Sequence, residues 1–187
     1  MSMSKPPRAS SFARMAPNPA DFCCFRRELG GPMADHANTK VLIRPLAAAD
    51  ERDWRRLWAG YLAFYRKALS AETTEATWRA LIAQRRPEMI GRVAELEGRV
   101  VGMLNAVIHP NTWFEAPVCY LEDLYVEAER RGRGIGRALI EALAAEGRRA
   151  GWPRIYWRTA DDNLTAQRLY DGIARRSRWV TYELDLS

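Results

Sequence analysis

Residues 130–136, Arg-Arg-Gly-Arg-Gly-Ile-Gly, are the stretch whose types and spacing best suit chemistry. Glycine lets the main chain approach a ligand with no Cβ in the way. From Ile135 onward, Ile135, Ala138, Leu139, Ala142 and Leu143 recur with the period of a helix. The glycines therefore lie at a predicted helix start, where unpaired N–H groups and the positive end of the peptide dipole meet. Such a turn suits a phosphate or pyrophosphate, and the arginines add charge and forked donors. The P-loop pattern does not apply, because no Lys-Ser or Lys-Thr follows these glycines. The dinucleotide fingerprint also fits poorly. Its glycines would need a different spacing, and the next predicted strand ends in Thr159-Ala160 rather than at an acidic residue.

The elements that position this turn can be read in chain order. Val118–Val126, rich in aromatic and β-branched residues, predicts a mostly buried strand entering it. Val41–Pro45 predicts the first strand, and Asp50 is placed to cap the helix that follows. That helix carries Trp54, Leu57, Trp58, Tyr61, Leu62 and Tyr65 at helical spacing, mostly as core. Tyr61, Phe64 and Tyr65, near its end, could instead wall a substrate pocket. A second helix is expected over 74–85, with Trp78, Leu81 and Ile82 on one face. Residues 90–96 and 100–108 read as a hairpin about Glu97-Gly98-Arg99, and 109–117 as a break in the pattern. Beyond the central helix, Gly151-Trp152-Pro153 is a stop. Residues 154–159 predict a strand, and Asp161-Asp162-Asn163 opens a helix with Ala166, Leu169, Tyr170, Ile173 and Ala174 in register. Trp179–Leu186 alternates as a closing strand. Early hairpins followed by a βαβ unit imply an α/β chain of the α+β type, a central mixed sheet flanked by helices on both faces.

Composition narrows the partners. The 187 residues suit one domain plus an extension. Residues 1–40 hold five prolines, several serines and no hydrophobic period. They are expected to be a flexible, disordered extension in which Met33 is a natural initiator, with the domain over 41–187. Half of the net charge of +6 lies in the extension, so the domain is only mildly basic and nucleic acid is not implied. No apolar run approaches the length of a membrane span. Cys23, Cys24 and Cys119, with His36 and His109, offer neither a disulfide framework nor a metal spacing, and point to a reducing, cytoplasmic compartment.

Arg131-x-x-Gly134-x-Gly136, in its strand–turn–helix setting, resembles the acyl-CoA-binding motif of the GNAT N-acetyltransferase superfamily. The resemblance covers about 41–187. The element order is similar, and Asn163-x-x-Ala166-x-x-Leu169-Tyr170 looks like the second family motif. Leu121-Glu122-Asp123-Leu124-Tyr125-Val126 is similar to the polyamine-acetyltransferase branch, and 157–182 to a subgroup with amino-acid and histone-tail acetyltransferases. That subgroup often has Gly before the last aromatic, where this chain has Arg178 before Trp179. The resemblance implies an acetyl-CoA-dependent N-acetyltransferase acting on a primary amine, an amino acid or polyamine more than a protein lysine or N-terminus. A non-catalytic acyl-CoA-binding module is the alternative. It implies that Leu124, Tyr125 and Val126 hold the pantetheine arm, with the Leu124 N–H at the thioester oxygen. It implies that Arg131, Gly132, Arg133, Gly134, Ile135, Gly136 and Arg137 hold the pyrophosphate, that Asn163 meets the cofactor, and that Tyr170 is the acid toward sulfur. Glu122 is the implied base, direct or through water, with Asp123 and His109 as alternatives. In a regular strand only one of the two acids faces the substrate. Tyr65, Glu115 and Asp123 are candidate acceptor contacts. No metal is implied, and a homodimer through an edge strand such as 179–186 is.

Overall fold

The structure, a computed structural model, describes residues 25–27, 41–83 and 88–186. Six strands form one sheet in sequence order. They are β1 (Phe25–Arg27), β2 (Val41–Pro45), β3 (Met89–Leu96), β4 (Arg99–Asn111), β5 (Phe114–Val126) and β6 (Ile155–Tyr156). The helices are α1 (Glu51–Phe64), α2 (Ala71–Ile82), α3 (Ile135–Ala150) and α4 (Leu164–Asp171). Strands β1 to β5 pair antiparallel and β6 joins β5 in parallel, so the sheet is mixed. The expectations for Met33, Cys23, Cys24 and His36 lie outside the described residues; of the expected extension, β1 is described and pairs with Val41–Ile43.

Alternation along the strands feeds two cores. Ile43, Ala94, Leu104, Ala106, Cys119 and Leu121 pack under the α3 stripe of Ile135, Ala138, Leu139 and Leu143. On the other face, Val93 and Met103 pack against Trp54, Leu57 and Trp58 of α1 and Trp78 and Leu81 of α2. The β3–β4 link is a two-residue turn with Glu97 and Gly98 at φ 54° and 76°, the left-handed pair that matches strand twist. Gly151 ends α3 in the left-handed region at φ 75°, as a glycine stop should.

The sequence reading needs correction at five places. Asp50 precedes α1 but makes no side-chain cap; its carboxylate takes two hydrogen bonds from Arg44 and one from the Ala47 N–H. Ser70 caps α2 three residues earlier than expected, by accepting from the Thr73 N–H. Residues 109–117 are not a break. β4 runs through His109 and Pro110 to Asn111, and β5 begins at Phe114, making one long hairpin. Of 154–159 only Ile155–Tyr156 joins the sheet. Trp179–Leu186 forms no strand, because among the described residues it meets no sheet edge. Trp179, Val180, Tyr182, Leu184 and Leu186 all stand in solvent.

Candidate functional site

Strand β5 is bulged where its two acids stand. Ala106 of β4 faces Leu121 and the adjacent Asn105 faces Asp123, so Glu122 has no partner across the ladder. The extra residue shifts the side-chain phase by one. Leu121 and Leu124 both pack on the α3 side, while Asp123 turns to the α1 side, toward Tyr61 and Asn105. Neither acid is lost to the core.

Asp123 sits in a buried polar chain. Trp54 Nε1 donates to Asn105 Oδ1 at 3.4 Å, and Asn105 Nδ2 donates to Asp123 Oδ2 at 3.0 Å. The Tyr61 hydroxyl is the second donor to Asp123. Burial raises the Asp123 pKa above the ordinary carboxylate value, against the two donors that lower it. Burial also raises Glu122, the neighbouring Asp123 charge adds to this, and Arg158 opposes it. A carboxyl held up in this way retains a proton more readily, which suits a group that must take one from an ammonium. The Tyr61 phenol is pushed far up, first by burial and then by the Asp123 charge, so it acts as a donor only.

A cleft opens beside this strand. β6 pairs with β5 only at Cys119–Ile155 and Tyr120–Tyr156. Among the described residues, the β6-side edge of β5 has no ladder partner from Leu121 to Val126, which leaves main-chain groups of the Glu122–Val126 stretch without a strand beside them. The Arg131–Gly136 turn lies at the end of this edge. Gly132 and Gly134 adopt φ of 75° and 77°, a conformation that strains any side chain. Nothing lies within 4 Å of where a Gly132 Cβ would stand. The first helical bond of α3 runs from the Ala138 N–H to the Gly134 carbonyl at 2.9 Å, so the N–H groups of Ile135, Gly136 and Arg137 have no acceptor within the helix. Free donors on an open, left-handed glycine turn fit a pyrophosphate. A Cβ on Gly136 would come within 3.3 Å of Leu169, so this glycine also brings α4 close to the turn. The Arg131 Nε donates to the Val126 carbonyl at 3.0 Å, and its guanidinium lies over Phe64 and Tyr125. Arg133 stays exposed, and Arg137 reaches the Gly172 carbonyl at 3.4 Å.

Tyr170 packs edge-on to Trp157 at 5.3 Å. Its pKa is pushed up to about 12, mainly by burial and then by Tyr65. Tyr65, just after α1, is thus near enough to Tyr170, on α4, for its charge to be felt there. Asn163 caps α4: its Oδ1 accepts from the Ala166 N–H at 3.2 Å, and its Nδ2 donates to Thr159 Oγ1 at 3.3 Å. Glu115 does not join the group. It lies nine positions before Leu124 on β5, roughly 30 Å along the strand. His109 is bound between the Pro110 carbonyl and the Tyr156 hydroxyl, both at 2.8 Å.

Sequence reasoning missed Asn105 and Arg158. A polar residue inside the apolar run 100–108 was a usable signal for Asn105. Arg158 donates from Nε to the Tyr120 hydroxyl at 2.9 Å and from Nη1 to Glu183 at 2.6 Å. Among the described residues, no helix is long and apolar enough to cross a membrane, and no group of three or more His, Cys, Asp and Glu could hold a metal ion.

A profile of the Acetyltransferase (GNAT) family matches residues 53–172. The D-amino-acid N-acetyltransferase HPA3 of Saccharomyces cerevisiae is 30% identical over 148 residues, covering 78% of this chain and 91% of the yeast protein. The L-2,4-diaminobutyric acid acetyltransferase of Virgibacillus pantothenticus is 34% identical over 84 residues, 45% of this chain and 51% of that protein. A solved structure of AAC(6')-Iy in complex with a bisubstrate analog shares the fold. It has a TM-score of 0.68 at 19% identity over 79% of this chain and 99% of its own.

Proposed function

The chain belongs to the GNAT acetyltransferase family and is an acetyl-CoA-dependent N-acetyltransferase. From that premise we propose that its acceptor is the primary amine of a small molecule, an amino acid or a polyamine, acetylated by direct attack in a ternary complex. The observation that carries this reading is the bulge that sets Glu122 and Asp123 beside the unpaired edge of β5, next to the α3 N-terminus. The names of the two relatives, both acetyltransferases of amino acids, support it.

The bound donor supplies an activated acetyl thioester. The Leu124–Val126 main chain would line its arm, and the N–H groups of Gly132 to Arg137 would hold its pyrophosphate, the Arg131 N–H being taken by the Ala128 carbonyl. Asn163 borders the cofactor and holds the start of α4. Glu122 takes the proton of the acceptor ammonium, directly or through water, so that the nitrogen lone pair is free to form the N–C bond. The Leu124 N–H donates to the carbonyl oxygen as negative charge gathers there. Tyr170 donates toward sulfur as the C–S bond breaks. Asp123 and Tyr65 border the acceptor.

The remaining parts of the proposal concern the whole chain. Residues 41–187 form the catalytic domain, with 1–40 as an extension, in a cytoplasmic enzyme whose Cys119 stays a free thiol. A second copy covers Trp179–Leu186, since Trp179, Val180, Tyr182, Leu184 and Leu186 are all left in solvent; sedimentation of the full chain as a monomer would remove that part.

The test is thiol release from acetyl-CoA with amines offered one class at a time. Turnover with an amino acid or a polyamine is the expected result. Turnover only with a protein lysine or N-terminus, or binding of acetyl-CoA without turnover on any amine, would overturn the proposal.

A further inference from the structure

One guanidinium is tied directly to the strand that carries Glu122. Arg158 leaves the sheet two residues after Tyr156, and its Nε is held at 2.9 Å by the hydroxyl of Tyr120. The guanidinium lies 5.9 Å from the Tyr120 ring centroid, and that ring packs on Tyr156 at 4.8 Å. Tyr120 precedes Glu122 by two residues on β5, and the Arg158 charge is felt at the Glu122 carboxyl. Tyr120 thus ties the guanidinium to the strand that carries Glu122, two positions away.

The guanidinium already carries a carboxylate. Glu183, in the tail after α4, accepts from Arg158 Nη1 at 2.6 Å. The side chains of this pair are 52% and 74% exposed, and an ion pair so open to water holds weakly and exchanges readily. The position is therefore a carboxylate seat whose present occupant is easily displaced.

We propose that Arg158 reads the carboxylate of the acceptor, taking it in exchange for Glu183, while Tyr120 fixes the guanidinium. This rests on the acetyltransferase reading above and commits it to an acceptor bearing both an amine and a carboxylate. A polyamine offers only cations, which Arg158 repels. A zwitterion matches both charges, with its amine toward Glu122 and its carboxylate on Arg158. The forked donors of arginine suit a carboxylate in a way a lysine does not.

The experiment compares the full-length protein with Arg158→Met and Arg158→Lys. Each is assayed on matched acceptors, lysine with 1,5-diaminopentane and phenylalanine (both enantiomers) with 2-phenylethylamine. The readout is the ratio of kcat/KM for the amino acid to kcat/KM for its decarboxylated partner, which cancels any general loss of active protein. Arg158→Met should lower that ratio about ten- to hundredfold, mainly through KM of the amino acid, and Arg158→Lys should restore part of it. Glu183→Gln should lower KM for the amino acid by removing the competing carboxylate. An unchanged ratio in Arg158→Met, or a wild-type protein that prefers the decarboxylated amines, overturns the inference and leaves the acetyltransferase reading intact. Absence of turnover on every amine overturns both.

Discussion

Replacing Glu146 with alanine should destabilise the domain by about 3–5 kcal/mol. Glu146 of α3 and Arg92 of β3 face each other with side chains each 8% exposed. Arg92 Nη2 donates to both carboxylate oxygens at 2.6 Å, and its Nε donates to Oε2 at 3.1 Å. The surroundings are dry. The thiol of the neighbouring Cys119 is pushed up to about 12, first by burial and then by the Glu146 charge. Alanine would leave the guanidinium in that environment with its bond to the Gly91 carbonyl, at 2.7 Å, but without the carboxylate. The loss is set by removing the carboxylate from a buried guanidinium rather than by the strength of the pair, so removing both charges should recover most of it. For a domain of this size each kcal/mol moves the midpoint about 2–4 °C. Glu146→Ala should therefore melt roughly 6–20 °C lower, and the double variant Arg92→Met/Glu146→Leu should return close to wild type. Scanning calorimetry with a urea titration measures both. A loss under about 1 kcal/mol for Glu146→Ala would refute the reasoning, because it would mean that water or another group serves the Arg92 charge.

Two further outcomes follow from the cleft. Tyr170→Phe should lower kcat by about a hundredfold while leaving acetyl-CoA binding nearly unchanged, read by steady-state kinetics beside calorimetric titration; equal turnover would remove Tyr170 as the acid. Asp123→Asn should flatten the pH dependence of stability. The folded pKa of Asp123 lies above its ordinary value of 3.8. The stabilisation from its protonated form is therefore complete below that value and is lost as pH rises through the folded pKa. The wild-type midpoint should carry this downward component toward neutrality and the variant should lack it, as melting curves across that range will show.

Much of the fold was legible where one strong period dominated. The stripe of Trp54, Leu57 and Trp58 and that of Ile135 to Leu143 announced α1 and α3, and the glycine turn located itself between strand and helix. The His109–Pro117 stretch reads as a break in the pattern, yet Pro110 and Pro117 both fall inside strands of a long hairpin end, where the ladder is already irregular. Trp179–Leu186 has a strand's alternation but finds no sheet edge within the described chain, and alternation alone does not supply a partner. The pairing of Asp123 with Asn105 depends on a register that only the folded sheet fixes. The extra residue between Leu121 and Leu124 is hidden for the same reason: with a core on each face, a regular strand could bury the two leucines on opposite sides.

That extra residue gives the fold an unusual relation to chain length. In the β4–β5 ladder, Leu121 and Asp123 face neighbouring residues of β4, and Glu122 is the one position between them with nothing opposite. A chain lacking Glu122 would close into a regular ladder, with Leu121 and Leu124 still turned to α3 and Asp123 still turned to Tyr61. Losing or acquiring this carboxylate therefore amounts to a one-codon deletion or insertion that the sheet absorbs without repacking. Sequence comparisons that score substitutions column by column would see a gap there, in a strand, and should read it as a change of chemistry rather than of architecture.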